Sequence, residues 1–156
     1  MNRCLGIAAS LALAIAGCFH SYRKHNEMFS ETVAGTRFKS LSVISTTDEQ
    51  SDLRITLDVR KRLAAQGWAI VQRPGTWDTQ AEALRAICGP ASADTAAAAP
   101  APVDGVVLVS WDELSLHDCS SNHFVYQYHA GYGGVDLMVQ GVIKYLRGET
   151  GPHSGN

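Results

Sequence analysis

The sequence predicts an α+β (or α/β) fold: a mixed sheet of four to five strands with a βαβ unit, two covering helices and a C-terminal β-hairpin. Three observations predict it. Residues 38–45, 51–66 and 68–72 run strand-like, helix-like and strand-like, at spacings that suit parallel strands joined by a crossover helix. Residues 105–112, GVVLVSWD, are continuous and β-branched, as a strand buried on both faces requires. Residues 124–129, FVYQYH, alternate and lead into the glycine-rich stretch 131–134. A chain of 156 residues, 46% hydrophobic and 18% charged, suits one globular domain, expected over residues 37–148.

Each element has its own local reason. In residues 38–45, FKSLSVIS, Leu41 and Val43 share one face of a strand. Thr47 with Gln50 fits a capping box, and Gly67 fits the position just past the end of a helix over 51–66. Leu53, Leu57 and Leu63 sit near one face of that helix, with Ile55 and Val59 beside it. The alternation of Leu53, Ile55, Leu57 and Val59 also suits a strand, whereas RKRLAAQG favours helix for the second half. WAIVQ at 68–72 is a strand closed by Arg73-Pro74-Gly75. A second helix spans 77–88, with Asp78 as N-cap, a stripe of Ala81, Leu84 and Ile87, and Gly89-Pro90 as its stop. Residues 91–102, ASADTAAAAPAP, are low in complexity and read as a solvated surface insertion. Beyond the strand at 105–112, residues 116–122 read as a polar loop. In residues 135–147, Val135, Leu137 and Val139 alternate with Asp136, Met138 and Gln140 until a shift at Gly141. That pattern reads as a long strand with a bulge, since a helix would place Gln140 and Lys144 beside Leu137. Residues 149–156 form a tail.

The N-terminus carries an address. Arg3 precedes LGIAASLALAIA at 5–16, an uncharged core too short to span a bilayer, as in a secretory signal. Ile15-Ala16-Gly17-Cys18 follows, and this segment resembles the lipobox of bacterial lipoproteins. The alternative is an ordinary signal peptide cleaved at an A-x-A-like site, with Cys18 incidental. The resemblance implies removal of residues 1–17, lipidation of Cys18 and a polar tether over 18–36. Membrane attachment would then run through this lipid anchor. In a host with an outer membrane, Phe19 after the cysteine implies delivery to that membrane, facing the periplasm. Arg23, Lys24 and His25 in the tether suit either a solvated linker or contact with anionic headgroups. The order of elements is also similar to that of small envelope lipoproteins of uncharacterised function. A net charge of −2 gives no field directed at nucleic acid.

Four cysteines have different expected fates. Cys4 leaves with the signal and Cys18 takes the lipid. Cys88 and Cys119 remain in an oxidising compartment and form either one disulfide or two free thiols. His117, Asp118, Cys119 and His123 lie within one short stretch, so His117, Cys119 and His123 are candidate metal ligands, and Cys119 with His117 a candidate nucleophile and base. Asp112-Glu113 is a carboxylate pair at a strand end. Tyr126, Tyr128 and Tyr132 are candidates for a recognition surface toward an envelope protein or glycan, or else pack under the helices, as expected for Trp111. No P-loop, nucleophile elbow, H-E-x-x-H or C-x-x-C occurs. The expectation is a lipid-anchored, non-catalytic binding or assembly module without cofactor. The alternative is a metal- or thiol-dependent envelope enzyme at the His117/Cys119/His123 loop.

Overall fold

A computed structural model describes residues 27–30, 32–73, 75–89, 102–130 and 134–150. The signal 1–17, Cys18, the first part of the tether, nearly all of the insertion, Tyr132 and the end of the tail lie outside the described residues. The elements run β1 (Glu27–Phe29), a single 3-10 turn (Gly35–Arg37), β2 (Ser40–Ser45), α1 (Gln50–Ala65), β3 (Ala69–Ile70) and α2 (Gln80–Cys88). They continue with β4 (Gly105–Val109), β5 (Glu113–Asp118), β6 (His123–His129) and α3 (Gly134–Leu146). This is a mixed α+β fold, with a six-stranded sheet in the order β1-β6-β5-β4-β2-β3. β2 lies parallel to β3 and to β4, and the remaining pairings are antiparallel. The expected βαβ unit is therefore present as β2, α1 and β3.

Period-two alternation along the strands sorts side chains onto two faces. Leu41, Val43, Val107, Val109, Leu114, Leu116 and Tyr126 pack on one face with Val59 and Leu63 of α1 and with Met138, Val139, Val142, Tyr145 and Leu146 of α3. The opposite face sets Ile44, Val106 and Leu108 against Ala83 and Ile87 of α2 and against Val103. β4 is buried along its whole length, as its β-branched run demands.

Four expectations are corrected. The sheet has six strands rather than four or five, because β1 comes from the segment read as tether and pairs with β6. The supposed polar loop at 116–122 begins inside β5, where Leu114 and Leu116 alternate with Ser115 and His117; the turn is confined to the residues before His123. The hairpin is therefore β5–β6. Residues 135–147 are not a bulged strand but helix α3, the third helix. Its buried set, Met138, Val142 and Tyr145 with Val139 and Leu146, recurs at helical spacing, which the alternation of its first turns hides. Gly141 is there for close approach: a Cβ would strike the Tyr126 hydroxyl and crowd the Tyr128 ring.

The fourth correction concerns which faces the other helices bury. α1 buries Asp52, Thr56, Val59 and Leu63, whereas Leu53 is 46% and Leu57 52% exposed. Its buried polar groups find partners close by, except for Asp52 Oδ1, which has none. The Thr56 hydroxyl donates to the Asp52 carbonyl at 2.7 Å, and the Thr47 hydroxyl donates to Asp52 Oδ2 at 2.6 Å. Thr47 Oγ1 also accepts from the Glu49 amide at 3.2 Å, so it organises the helix start without forming the expected box with Gln50. Gly67, at φ +101°, ends α1 as expected. In α2 the cap is Thr79 rather than Asp78: its side chain accepts from the Glu82 amide at 3.2 Å. The buried positions of α2 are Ala83 and Ile87, while Ala81 faces out.

Candidate functional site

The stretch 117–123 forms the end of β5, a turn and the start of β6. Cys119, the first turn residue, is disulfide-bonded to Cys88, the last residue of α2, with their Cα atoms 5.0 Å apart. The bridge staples α2 to the β5–β6 hairpin across a sequence separation of 31.

His117 and Asp118, adjacent in β5, send their side chains to opposite faces. His117 is buried beside the disulfide, its Nδ1 3.9 Å from Cys88 Sγ and its ring edge-on to Phe124 at 5.2 Å between centroids. Desolvation lowers its pKa below the ordinary value and outweighs the opposing pull of the Asn122 backbone and the Asp118 charge. It therefore stands neutral at pH 7. Asp118 is also fully buried and fully engaged. It accepts from Arg37 Nη2 at 2.8 Å, from the Ser120 amide at 3.0 Å and from the Ser121 hydroxyl at 2.6 Å. Desolvation alone would raise its pKa, but the Ser121 and Ser120 hydrogen bonds and the Arg37 charge hold it below the usual carboxylate range. Arg37 also bonds the Ser120 hydroxyl and lies over the Phe38 ring, 5.3 Å from its centroid. Asn122, at φ 58°, closes the turn by donating its amide to the Asp118 carbonyl at 2.9 Å.

This arrangement does not bring Cys119, His117 and His123 together as a set. Cys119 shares its sulfur with Cys88 and offers no thiolate. His123 is exposed while His117 is buried. Among the described residues, no three His, Cys, Asp or Glu side chains converge to hold a metal. A groove of about 420 Å³ lies beside the bridge, between α2 and the hairpin, with Leu84, Arg85, Cys88, His117 and Asn122 in its wall. Among the described residues, Arg85 is the charged side chain lining it.

The other candidates are placed as follows. Asp112 and Glu113 are engaged separately. Asp112 Oδ1 accepts from the Ser110 hydroxyl at 2.9 Å, and Glu113 Oε1 accepts from Gln127 Nε2 at 2.7 Å. Tyr126 is a core residue beneath α3; its hydroxyl donates to Glu27 Oε1 at 2.9 Å and its ring lies 5.1 Å from that of Tyr145. Burial pushes its pKa far up, as it does more mildly for Tyr128, which packs partly against the same core. Tyr126 therefore presents no open face to a partner, Tyr128 stays partly exposed, and Tyr132 lies outside the described residues. Trp111 reverses its expectation: it does not pack under the helices but stands 63% exposed in the turn between β4 and β5. Sequence reading missed Arg37 and Tyr145. Tyr145 donates to the Val33 carbonyl at 2.6 Å, and burial raises its pKa to about 12. Both partnerships cross long sequence separations, which no local pattern announces.

Among the described residues no helix is long and apolar enough to cross a membrane. No protein-family model matches the chain, and no curated protein matches it.

Proposed function

We propose that this chain is a lipid-anchored envelope lipoprotein whose domain acts as a non-catalytic binding or assembly module. The observation that carries the reading is Cys18, placed directly after Ile15-Ala16-Gly17 at the end of a charged-then-apolar leader. The Cys88–Cys119 bridge supports it, because disulfides persist in exported compartments and are rare in the cytosol. Two or three acyl chains on Cys18 would hold the domain stably, since one chain alone anchors marginally. With Phe19 following the cysteine, the destination in a host with an outer membrane is the periplasmic side of that membrane. The buried polar groups of the hairpin turn are spent on one another, which suits a scaffold more than a reacting centre.

Mass spectrometry of the mature protein and of Cys18→Ser tests the anchor. The wild type is expected to lack residues 1–17 and to carry acyl mass on Cys18; the variant is expected to keep residues 1–17 and to carry no acyl mass. A Cys18→Ser protein processed and membrane-held like the wild type would overturn the reading. Thiol titration of the exported domain separates it from the thiol-enzyme alternative at His117, Cys119 and His123. No reactive thiol at Cys88 or Cys119 is expected, and two would favour the enzyme. Capture of an envelope protein or glycan by the anchored domain is the corresponding test of the binding role.

A further inference from the structure

We propose that Trp111 is a membrane-contact residue, and that the domain stands on the bilayer by the end of the sheet at which its tether arrives. The inference rests on the lipoprotein reading above. One row of paired residues crosses the sheet: Glu27, Tyr128, Leu114, Val109 and Ser45. Glu27 opens β1, so the chain from Cys18 enters at this row. Trp111 lies just beyond the same row, in the turn that joins β4 to β5. β4 and β1 are three strands apart in the sheet order, which is about 15 Å at the usual strand spacing. Residues 19–26 separate Cys18 from β1, and even fully extended they reach at most about 29 Å. A lipid on Cys18 can therefore bring this end of the sheet, where the chain enters, to the headgroups.

The chemistry of that end fits the interface. Tryptophan is enriched where bilayer meets water, with its ring among apolar groups and its N–H among polar ones. Here the indole is exposed on a turn closed by two hydrogen bonds. The Ser110 amide donates to the Glu113 carbonyl at 2.8 Å, and the Glu113 amide donates to Ser110 Oγ at 3.0 Å. Leu53 and Leu137, both exposed, sit in the opening turns of α1 and α3, which start from the same end as β2 and β6 finish. Exposed Asp48 and Glu49 lie there too, Asp136 is paired with Arg62 at 2.6 Å, and the tether brings Arg23 and Lys24, so the contact is assigned to the indole and not to net charge.

The test uses full-length lipidated protein in phosphatidylcholine vesicles containing dibrominated acyl chains, which quench tryptophan on contact. Co-sedimentation reads the anchor, and fluorescence reads the contact. Wild type is expected to be quenched much more than Trp111→Phe, with Trp68 and Trp77 supplying the residual signal in both. Replacing part of the phosphatidylcholine with phosphatidylglycerol is expected to leave the quenching nearly unchanged, and a several-fold rise would overturn the assignment of the contact to the indole. Equal quenching of both proteins, when both co-sediment, overturns the contact while leaving the anchor standing. So does a Trp111 shielded from aqueous iodide yet untouched by brominated chains, which would mean a protein partner covers it. A wild type that does not co-sediment overturns the anchor, and the contact with it.

Discussion

Asp118 is a carboxylate that the fold has taken out of water and surrounded with donors. Replacing it with Ala would strip partners from Arg37, Ser120 and Ser121 together, and should cost about 1–3 kcal/mol, the lower end because Arg37 remains partly solvated. A denaturant midpoint equal to that of the wild type would show that the network is idle. The same residue sets a pH dependence. Its folded pKa lies below the unfolded value, so its contribution is complete above about pH 3.9 and is lost as pH falls through the lower folded value. Asp104 behaves alike: desolvation is outweighed by the Ser40 and Lys39 amides, which donate to it at 2.8 and 2.7 Å. His117 acts earlier. Because the fold disfavours its charged form, the unfolded chain takes up a proton first, and stability should begin to fall as pH drops below about 6.5. Denaturant midpoints across pH should therefore show two losses, and His117→Gln should remove the upper one alone. Little of this was legible beforehand. Asp118 stood out as a member of a polar cluster, but its partner Arg37 is 81 positions away.

At the level of elements, α1 and α3 show two ways in which pattern misleads. In α1 the leucines that mark the helix to the eye are not the ones that hold it. Leu57→Lys, at an exposed position, should change stability by no more than about 0.5 kcal/mol, whereas Leu63→Ala, fully buried, should cost about 2–5 kcal/mol. Comparable losses from both would contradict the assigned face. The core stripe includes Asp52 and Thr56, polar residues whose burial rests on hydrogen bonds to Thr47 and within the helix; hydrophobicity alone does not reveal it. In α3 the alternation at 135–140 is real in the sequence but has no sheet partner, and the later spacing of Val142, Tyr145 and Leu146 decides the matter. Gly141, read as a bulge, is the point where α3 touches Tyr126. Gly141→Ala should therefore destabilise by about 1–3 kcal/mol through overpacking, despite the better helix propensity of alanine. A raised melting temperature would refute the contact.

For the molecule as a whole, the sheet is covered unequally. α1 and α3 share one large core, while the smaller helix α2 covers only part of the other face and is tied to it by the Cys88–Cys119 bridge. Removing that bridge with a Cys88→Ser, Cys119→Ser double substitution should cost about 3–4 kcal/mol on the chain-entropy account. Amide exchange should rise first in α2 and only later in β4 or α3. Uniform loss of protection would mean that the bridge supports the whole domain rather than one layer.

By itself, the sequence determined what depends on local chemistry: the β-branched central strand β4, the βαβ order of β2, α1 and β3, the Gly67 stop and the pairing of Cys88 with Cys119. Each is written in neighbouring residues or in a count. Tertiary structure alone decided that part of the tether becomes strand β1, that residues 134–146 coil into α3, that Tyr126 goes inside and that Trp111 stays out. Those outcomes depend on which surface meets which. A short alternating segment satisfies its backbone equally well as strand or helix until a partner is present to bury one of its faces.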